Sequence, residues 1–321
     1  MKISVLGLGA YGIALAKVLN ENGNEVNIWT KFSEEADVVS LKRENKAVLP
    51  GVKLPKDVKI YTDLKECIKK SQIIFIVVPT SAVRGVSKEL VSLITDDQII
   101  CIAAKGIEIN TNMLMSEVLK EEIKTDNVCV ISGPSFAIEL ANSKEIGFML
   151  ASKKDSISLA VKVCLENENI KVETTSDIIG IQVGGSVKNV FAIIMGMLDG
   201  MKKSDSTKAA VLTRLVDDLR FTIEMLGGKS KTVFTYAGIG DMLLTCMSSK
   251  SRNYTFGKNI GKGMCASKAL EQMSVKTVEG LYTLDSIYNL LKEKQIEVKS
   301  IKTLYSIIHG NMRVENVLNE I

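Results

Sequence analysis

Residues 3–19 read ISVLGLGAYGIALAKVL. An apolar run enters three glycines, Gly7, Gly9 and Gly12, and leaves as an Ala/Leu/Val-rich segment of helical character. This is the spacing of a strand that turns sharply into a helix. Gly7 permits the tight turn, Gly9 lets backbone approach a pyrophosphate, and Gly12 lets the new helix lie close to the strand. The helix start then offers unpaired N–H groups and the positive end of its dipole to phosphate. A second strand follows at 25–30, which supplies the context that a bare G-x-G-x-x-G lacks. The stretch predicts a dinucleotide site; the competing reading is a glycine-rich turn that holds nothing.

The end of the second strand decides which dinucleotide. An acid there would take the ribose 2′-hydroxyl of NAD. The sequence has IWTKFSEE, so Thr30 and Lys31 hold the place. A cation suits a 2′-phosphate, which favours NADP(H), with NAD(H) as the alternative. A solvated loop lysine is the plainer account of Lys31.

Working outward, strands are expected at 2–7, 25–30, 58–62, 73–78, 98–104, 127–132, 146–152 and 170–175. Helical patterns such as 82–94 and 113–123 lie between most of them. Continuous Ile/Val runs separated by helices predict an α/β fold with a doubly wound, mostly parallel sheet covered on both faces. After about residue 177 the pattern is helical: 178–200, 207–226, 239–247, 253–261, 267–273, 278–294, 300–309 and 314–320. Two domains are therefore expected, a dinucleotide-binding one over 1–177 and an all-helical one over 178–321. The apolar run 178–198 has the length of a membrane span. Gln182, Lys188 and Asn189 interrupt it, so a helix buried in the second domain is expected and no membrane span.

Composition narrows the chemistry. The chain has 321 residues, 46% hydrophobic and 24% charged, with a formal net charge of +4. That describes a globular protein with a sizeable core, and the charge is too small and scattered to imply nucleic acid; a modest basic bias suits a small anionic substrate. The six cysteines are widely spaced, without a C-x-x-C pair, and most sit in apolar runs. They read as reduced core residues of a cytoplasmic protein, with neither a disulfide frame nor a metal site. No cleavable leader is expected at the start. The single histidine, His309, lies near the far end. Acid–base chemistry therefore falls to Lys, Asp, Glu, Tyr or Cys.

Lys188 stands out. In GGSVKNVFAII it follows Gly184 and Gly185 by one turn and precedes Phe191 and Ala192 by one turn. Burial drives an ammonium pKa down, and such a lysine can exchange a proton near neutral pH. The alternative is a lysine that snorkels to the surface. Asn189 beside it either fixes geometry or caps a neighbouring loop. In AAKGIE, Lys105 sits at the carboxyl end of a strand, where open α/β sheets bind ligands. In ISGPSFA, Gly133 and Ser135 form a turn after the next strand, with N–H groups for an anion. Asp241, in GIGDMLLTC, falls where a helix starts, so an ordinary N-cap is its plain reading. In SRNYTFG, Ser251 caps a helix whose first turn carries Arg252 and Asn253, a seat for phosphate or carboxylate. A capped surface helix with an exposed arginine is the alternative.

Seven motifs now stand in order: GLGAYGIALA, AAKGIE, VISGPSFAIELA, IGIQVGGSVKNVFAI, AGIGDMLLTC, SRNYTFG and TVEG. Together they resemble the bacterial NAD(P)-dependent sn-glycerol-3-phosphate dehydrogenases from end to end. The resemblance implies an N-terminal Rossmann-like domain, a helical C-terminal domain, and reversible reduction of dihydroxyacetone phosphate to sn-glycerol 3-phosphate for phospholipid synthesis. It makes Lys188 the proton donor and acceptor at the substrate oxygen, and has Lys105 touch both substrate and cofactor. Gly133, Ser135, Asp241, Ser251, Arg252 and Asn253 would line the substrate, Arg252 and Asn253 nearest its phosphate. Thr245 falls on an active-site position of the family. The implied cofactor contacts are Gly7, Gly9, Ala10, Tyr11, Gly12, Lys31, Lys105, Ala137, Arg252, Thr277 and Glu279. The expected partner is a small phosphorylated substrate, and a homodimer is compatible with the reading. Two departures stand against the family pattern: Ala10 replaces a Ser or Gly, and MKKSDSTKAAVL replaces a glycine-rich turn, with Ser206 for Asn and Lys202–Lys203 for small residues. Two rivals remain. One is a 3-hydroxyacid or ketopantoate-type dehydrogenase on the same architecture, and the other is an NADP-binding sensor without turnover.

Overall fold

The structure is a computed structural model that describes residues 1–273 and 277–321. All eight expected strands form: β1 (Lys2–Leu6), β2 (Glu25–Trp29), β3 (Lys59–Tyr61), β4 (Ile73–Ile76), β5 (Ile99–Ile102), β6 (Val128–Ser132), β7 (Ile146–Ala151) and β8 (Ile170–Thr175). They make one sheet in the order β3-β2-β1-β4-β5-β6-β7-β8. Neighbours are parallel except β6 and β7. β4 is buried at every position, as Ile/Val-rich strands covered on both faces must be. The buried polar residue of β1, Ser4, is satisfied: its hydroxyl donates to the Cys67 carbonyl at 2.8 Å. The chain winds from β1 out to β3 and returns to β4 on the other side of β1. That reversal is the switch point at which open α/β sheets bind ligands, and the glycine turn follows β1 there.

By its contacts the chain divides into two compact units, 1–104 with 115–178, and 105–114 with 179–321. In the second, the regular elements among the described residues of 179–321 are all helices, while 105–114 is non-helical. The Ile178–Gly200 helix is its centre, buried at every position from Gly180 to Leu198. Val187, Phe191 and Ile194 of this helix join Leu215, Leu219, Phe256, Ile287 and Leu304 from the surrounding helices in one core. Each such side chain contributes roughly 1.5–3 kcal/mol on burial. The membrane-length apolar run is thus the axis of a helical core.

The atypical 201–208 stretch follows the C-terminal end of this helix. Ser204 accepts the Thr207 N–H and caps the Asp205–Met225 helix, which starts two residues before the expected 207. The stretch begins at Met201, thirteen residues past Lys188 and so about 20 Å along the helix axis.

Candidate active site

Four of the expected side chains meet inside the helical unit. Lys188 comes from the central helix and Lys105 from the 105–114 segment. Asp241 and Thr245 come from the short Asp241–Cys246 helix. A close approach of backbones makes the meeting possible. A Cβ on Gly184 would lie 2.4 Å from the Ala237 carbonyl oxygen, so only glycine lets the Tyr236–Gly240 turn rest on the central helix. Within that turn Gly238 leaves helical geometry (φ −94°, ψ −108°), and the chain enters the next helix at Asp241.

Asp241 does not serve as a cap. It is 1% exposed, and its two oxygens each take a lysine. Oδ1 accepts from Lys188 Nζ, and Oδ2 accepts from Lys105 Nζ at 2.8 Å. Lys188 also donates to Thr245 Oγ1 at 3.1 Å, while that hydroxyl donates to the Asp241 carbonyl at 2.7 Å. One carboxylate thus holds two ammoniums, with Thr245 as the second acceptor for Lys188. Lys188 is 7% exposed, so it does not snorkel. Burial pulls its pKa down to about 8; Asp241 opposes that pull and the Lys105 charge adds to it. Buried, and sharing its carboxylate with Lys105, Lys188 can give up its proton in the neutral range.

Next to Lys188 in sequence, Asn189 accepts from Asn253 Nδ2 at 3.0 Å, and Asn253 Oδ1 accepts the Gly280 N–H at 2.9 Å. Asn253 is therefore fixed by two buried bonds. Ser251 caps the Arg252–Gly261 helix by accepting the Tyr254 N–H at 3.3 Å. Arg252 is exposed at the start of that helix and has no acidic partner among the described residues. Thr277 and Glu279 are exposed at and just before the start of the Glu279–Glu293 helix. His309 pairs with Asp285 at 2.8 Å.

The other expected residues belong to the sheet unit. Gly7 has φ +130°, and a Cβ there would press on the Val77 carbonyl group at 3.0 Å. A Cβ on Gly12 would fall 1.9 Å from the Gly7 oxygen. Gly9 is different: it is exposed, and a Cβ would meet nothing within 4 Å. The Ala10–Glu21 helix it opens has no side-chain cap and no acid in its first turn. Open space at Gly9 thus coincides with the start of an uncapped helix, which fits a pyrophosphate. The Tyr11 hydroxyl lies 3.0 Å from Ser135 Oγ, which donates to the Gly133 carbonyl at 3.2 Å. Gly133 is required by packing, because a Cβ would lie 2.3 Å from the Gly147 carbonyl oxygen. Ala137 opens the short Ala137–Ala141 helix.

At the end of β2, Lys31 is exposed, 5.2 Å from the Phe32 ring centre. Thr30 is buried and donates to Glu35 Oε2 at 2.7 Å, and Asn45 Nδ2 donates to Glu35 Oε1 at 2.9 Å. A carboxylate therefore stands at the strand end, although it is supplied from five residues downstream. Sequence reasoning missed it. The only signal was the acidic pair after IWTKFS.

A glycine turn at the sheet's switch point in one unit and a buried lysine–carboxylate cluster in the other fit one class, a nicotinamide-dependent dehydrogenase. The model of the NAD-dependent glycerol-3-phosphate dehydrogenase N-terminus matches residues 2–158, and that of the C-terminus matches residues 177–319. The chain belongs to this family. It is 35% identical to the glycerol-3-phosphate dehydrogenase [NAD(P)+] of Fusobacterium nucleatum over 100% of its own length and 96% of that protein's. It is 33% identical to the Bacillus subtilis protein of the same name, over 100% and 93% of the two chains. The crystal structure of glycerol-3-phosphate dehydrogenase from Coxiella burnetii is similar with a TM-score of 0.93 and 32% identity, covering 99% of this chain and 98% of that one. A putative 2-dehydropantoate 2-reductase from Enterococcus faecalis shares the fold alone, with a TM-score of 0.55 and 13% identity over 100% of both chains.

Proposed function

We propose that the protein reversibly reduces dihydroxyacetone phosphate to sn-glycerol 3-phosphate with NAD(P)H in the cytoplasm, supplying glycerol 3-phosphate for phospholipid synthesis. The observation that carries this reading is the buried carboxylate shared by two lysines, within a chain matched over its full length by dehydrogenases of that name.

When bound, the cofactor supplies hydride to the carbonyl carbon. The residues of this chain supply the rest. As charge grows on the carbonyl oxygen, Lys188 gives it a proton, and Lys105 keeps a second positive charge beside it. Asp241 orients both ammoniums, and Thr245 fixes the direction from which Lys188 donates. In the oxidative direction Lys188, deprotonated, takes the proton back. Arg252, exposed and without an acidic partner among the described residues, offers its planar guanidinium to the substrate phosphate. Asn253 reaches the substrate only through its fixed position beside Asn189, and Ser251 supports that turn as a cap. Gly7, Gly9, Ala10, Tyr11 and Gly12 take the pyrophosphate, and Lys31 the 2′-phosphate of NADP(H).

The deciding experiment follows the absorbance of reduced cofactor with purified protein and dihydroxyacetone phosphate. Turnover is expected with this substrate and none with 2-dehydropantoate or a 3-oxoacid. Turnover of a carboxylate substrate alone would replace the reading with its same-architecture rival. Tight NADP(H) binding without turnover of any of them would leave a sensor.

A further inference from the structure

Lys105 is carried by a segment that leaves β5 and returns to the Met115–Glu122 helix, yet packs with the helical unit. Ile107 and Leu114 pair across a single bridge, and both are buried in the helical core. Asn110 and Asn112 hold left-handed φ angles of 75° and 58°, a state that Asn tolerates better than most residues. Two polar bonds then tie the segment to the Glu279–Glu293 helix. Ser286 Oγ donates to the Glu108 carbonyl at 3.3 Å, and Asn112 Nδ2 donates to Glu293 Oε1 at 2.9 Å. Ser286 and Glu293 are seven residues apart, two turns along one face of that helix. Both Ser286 and Asn112 are buried. The segment is thereby fastened at two points, and its first residue is the lysine on Asp241.

We propose that Asn112 and Ser286 are positioning residues for the reaction: they lock the 105–114 segment onto the Glu279–Glu293 helix and so hold the Lys105 ammonium on Asp241. The inference rests on the dehydrogenase reading for its kinetic arm alone. The charged and titratable groups that act on Lys188 are Asp241, Lys105 and Glu279, with the Cys246 thiol packed nearby. Of these, Lys105 disfavours the protonated form of Lys188. A loosened segment withdraws that cation, so Lys188 keeps its proton to higher pH. A bond that merely stabilises the fold would lower the melting temperature and leave this titration in place.

The test uses the full-length chain with Ser286→Ala, Asn112→Asp, Glu293→Gln and the double variant Asn112→Asp/Glu293→Gln. Asn112→Asp keeps the left-handed preference but sets a carboxylate against Glu293; adding Glu293→Gln restores a donor–acceptor pair with the direction reversed. Ser286→Ala and Asn112→Asp should lower kcat for dihydroxyacetone phosphate about tenfold or more, the scale on which small misplacements of reacting groups act. Both should move the alkaline limb of the pH profile upward and leave the KM for NADPH unchanged. The double variant should recover both kcat and the limb. Independently of turnover, the rate at which Lys188 is acylated by an amine reagent, followed against pH by mass spectrometry, should show the same upward shift. Folded variants with wild-type kcat and an unmoved Lys188 titration would overturn the proposal, as would a double variant that recovers neither. If Asn112→Asp does not fold, the near-isosteric Ser286→Ala decides by the same two readings. If the wild type does not reduce dihydroxyacetone phosphate, the functional reading fails separately, and the acylation profile alone judges the positioning.

Discussion

A buried carboxylate that holds two ammoniums sets the chemistry of single residues here. Below a pH of about 8 Lys188 carries its proton, and above it does not. The rate of carbonyl reduction should therefore fall as pH rises through that value, and the rate of alcohol oxidation should rise. Lys188→Met should lower kcat by about 10²-fold or more and abolish that titration while cofactor binding persists. A kcat that survives Lys188→Met but not Lys105→Met would exchange the two roles. Arg252→Ala should raise the KM for dihydroxyacetone phosphate roughly tenfold or more, since a charged hydrogen bond contributes about 1.5–3 kcal/mol. Arg252→Lys should restore only part of it, because an ammonium lacks the two-pronged geometry. Lys188 was legible in the sequence because an ammonium in an apolar helix demands a reason. Asp241 was ambiguous, since a helix-initial Asp is usually a cap, and only the Gly184 contact shows why it turns inward. Glu35 was not legible, because the helix that returns it to the end of β2 is a three-dimensional fact.

At the scale of elements, glycines decide where backbones touch. Gly184→Ala drives a methyl into the Ala237 carbonyl and displaces the turn that delivers Asp241. It should cost about 1–3 kcal/mol of stability, typical of overpacking, and reduce kcat as well. Gly85 makes the opposite case: it lies inside the Thr80–Leu90 helix, where a Cβ meets nothing within 4 Å. Gly85→Ala should stabilise the fold by about 0.5–1 kcal/mol through helix propensity and leave kcat alone. Thermal melting with parallel assays checks both. The strands were legible from apolar runs such as IIFI and IICI, and all eight form. The short Ser230–Phe234 turn was not, because its place is set by packing against the Asp205–Met225 helix and Gly238, and its own sequence carries no periodic signal.

For the whole molecule, the choice of cofactor turns on the carboxyl end of β2. Lys31 is exposed and pairs with no acid among the described residues, while both oxygens of Glu35 are engaged by Thr30 and Asn45. NADPH should therefore serve at least as well as NADH, and Lys31→Asp should weaken NADPH selectively; a strong wild-type preference for NADH that the variant leaves unchanged would overturn this. The central helix bears on how the molecule is made. Synthesis runs from the N-terminus, so the ribosome releases Ile178–Gly200 before any helix that covers it exists. For that interval the nascent chain displays a stretch long and apolar enough to enter a bilayer. Lys188, near its middle, opposes insertion by about 2.5–3.5 kcal/mol on translocation scales. Chains truncated after Gly200 and translated with membranes should stay in the aqueous fraction, whereas Lys188→Leu should carry them into the lipid. The ammonium proposed for proton transfer in the finished protein would then also keep the unfinished one out of the membrane.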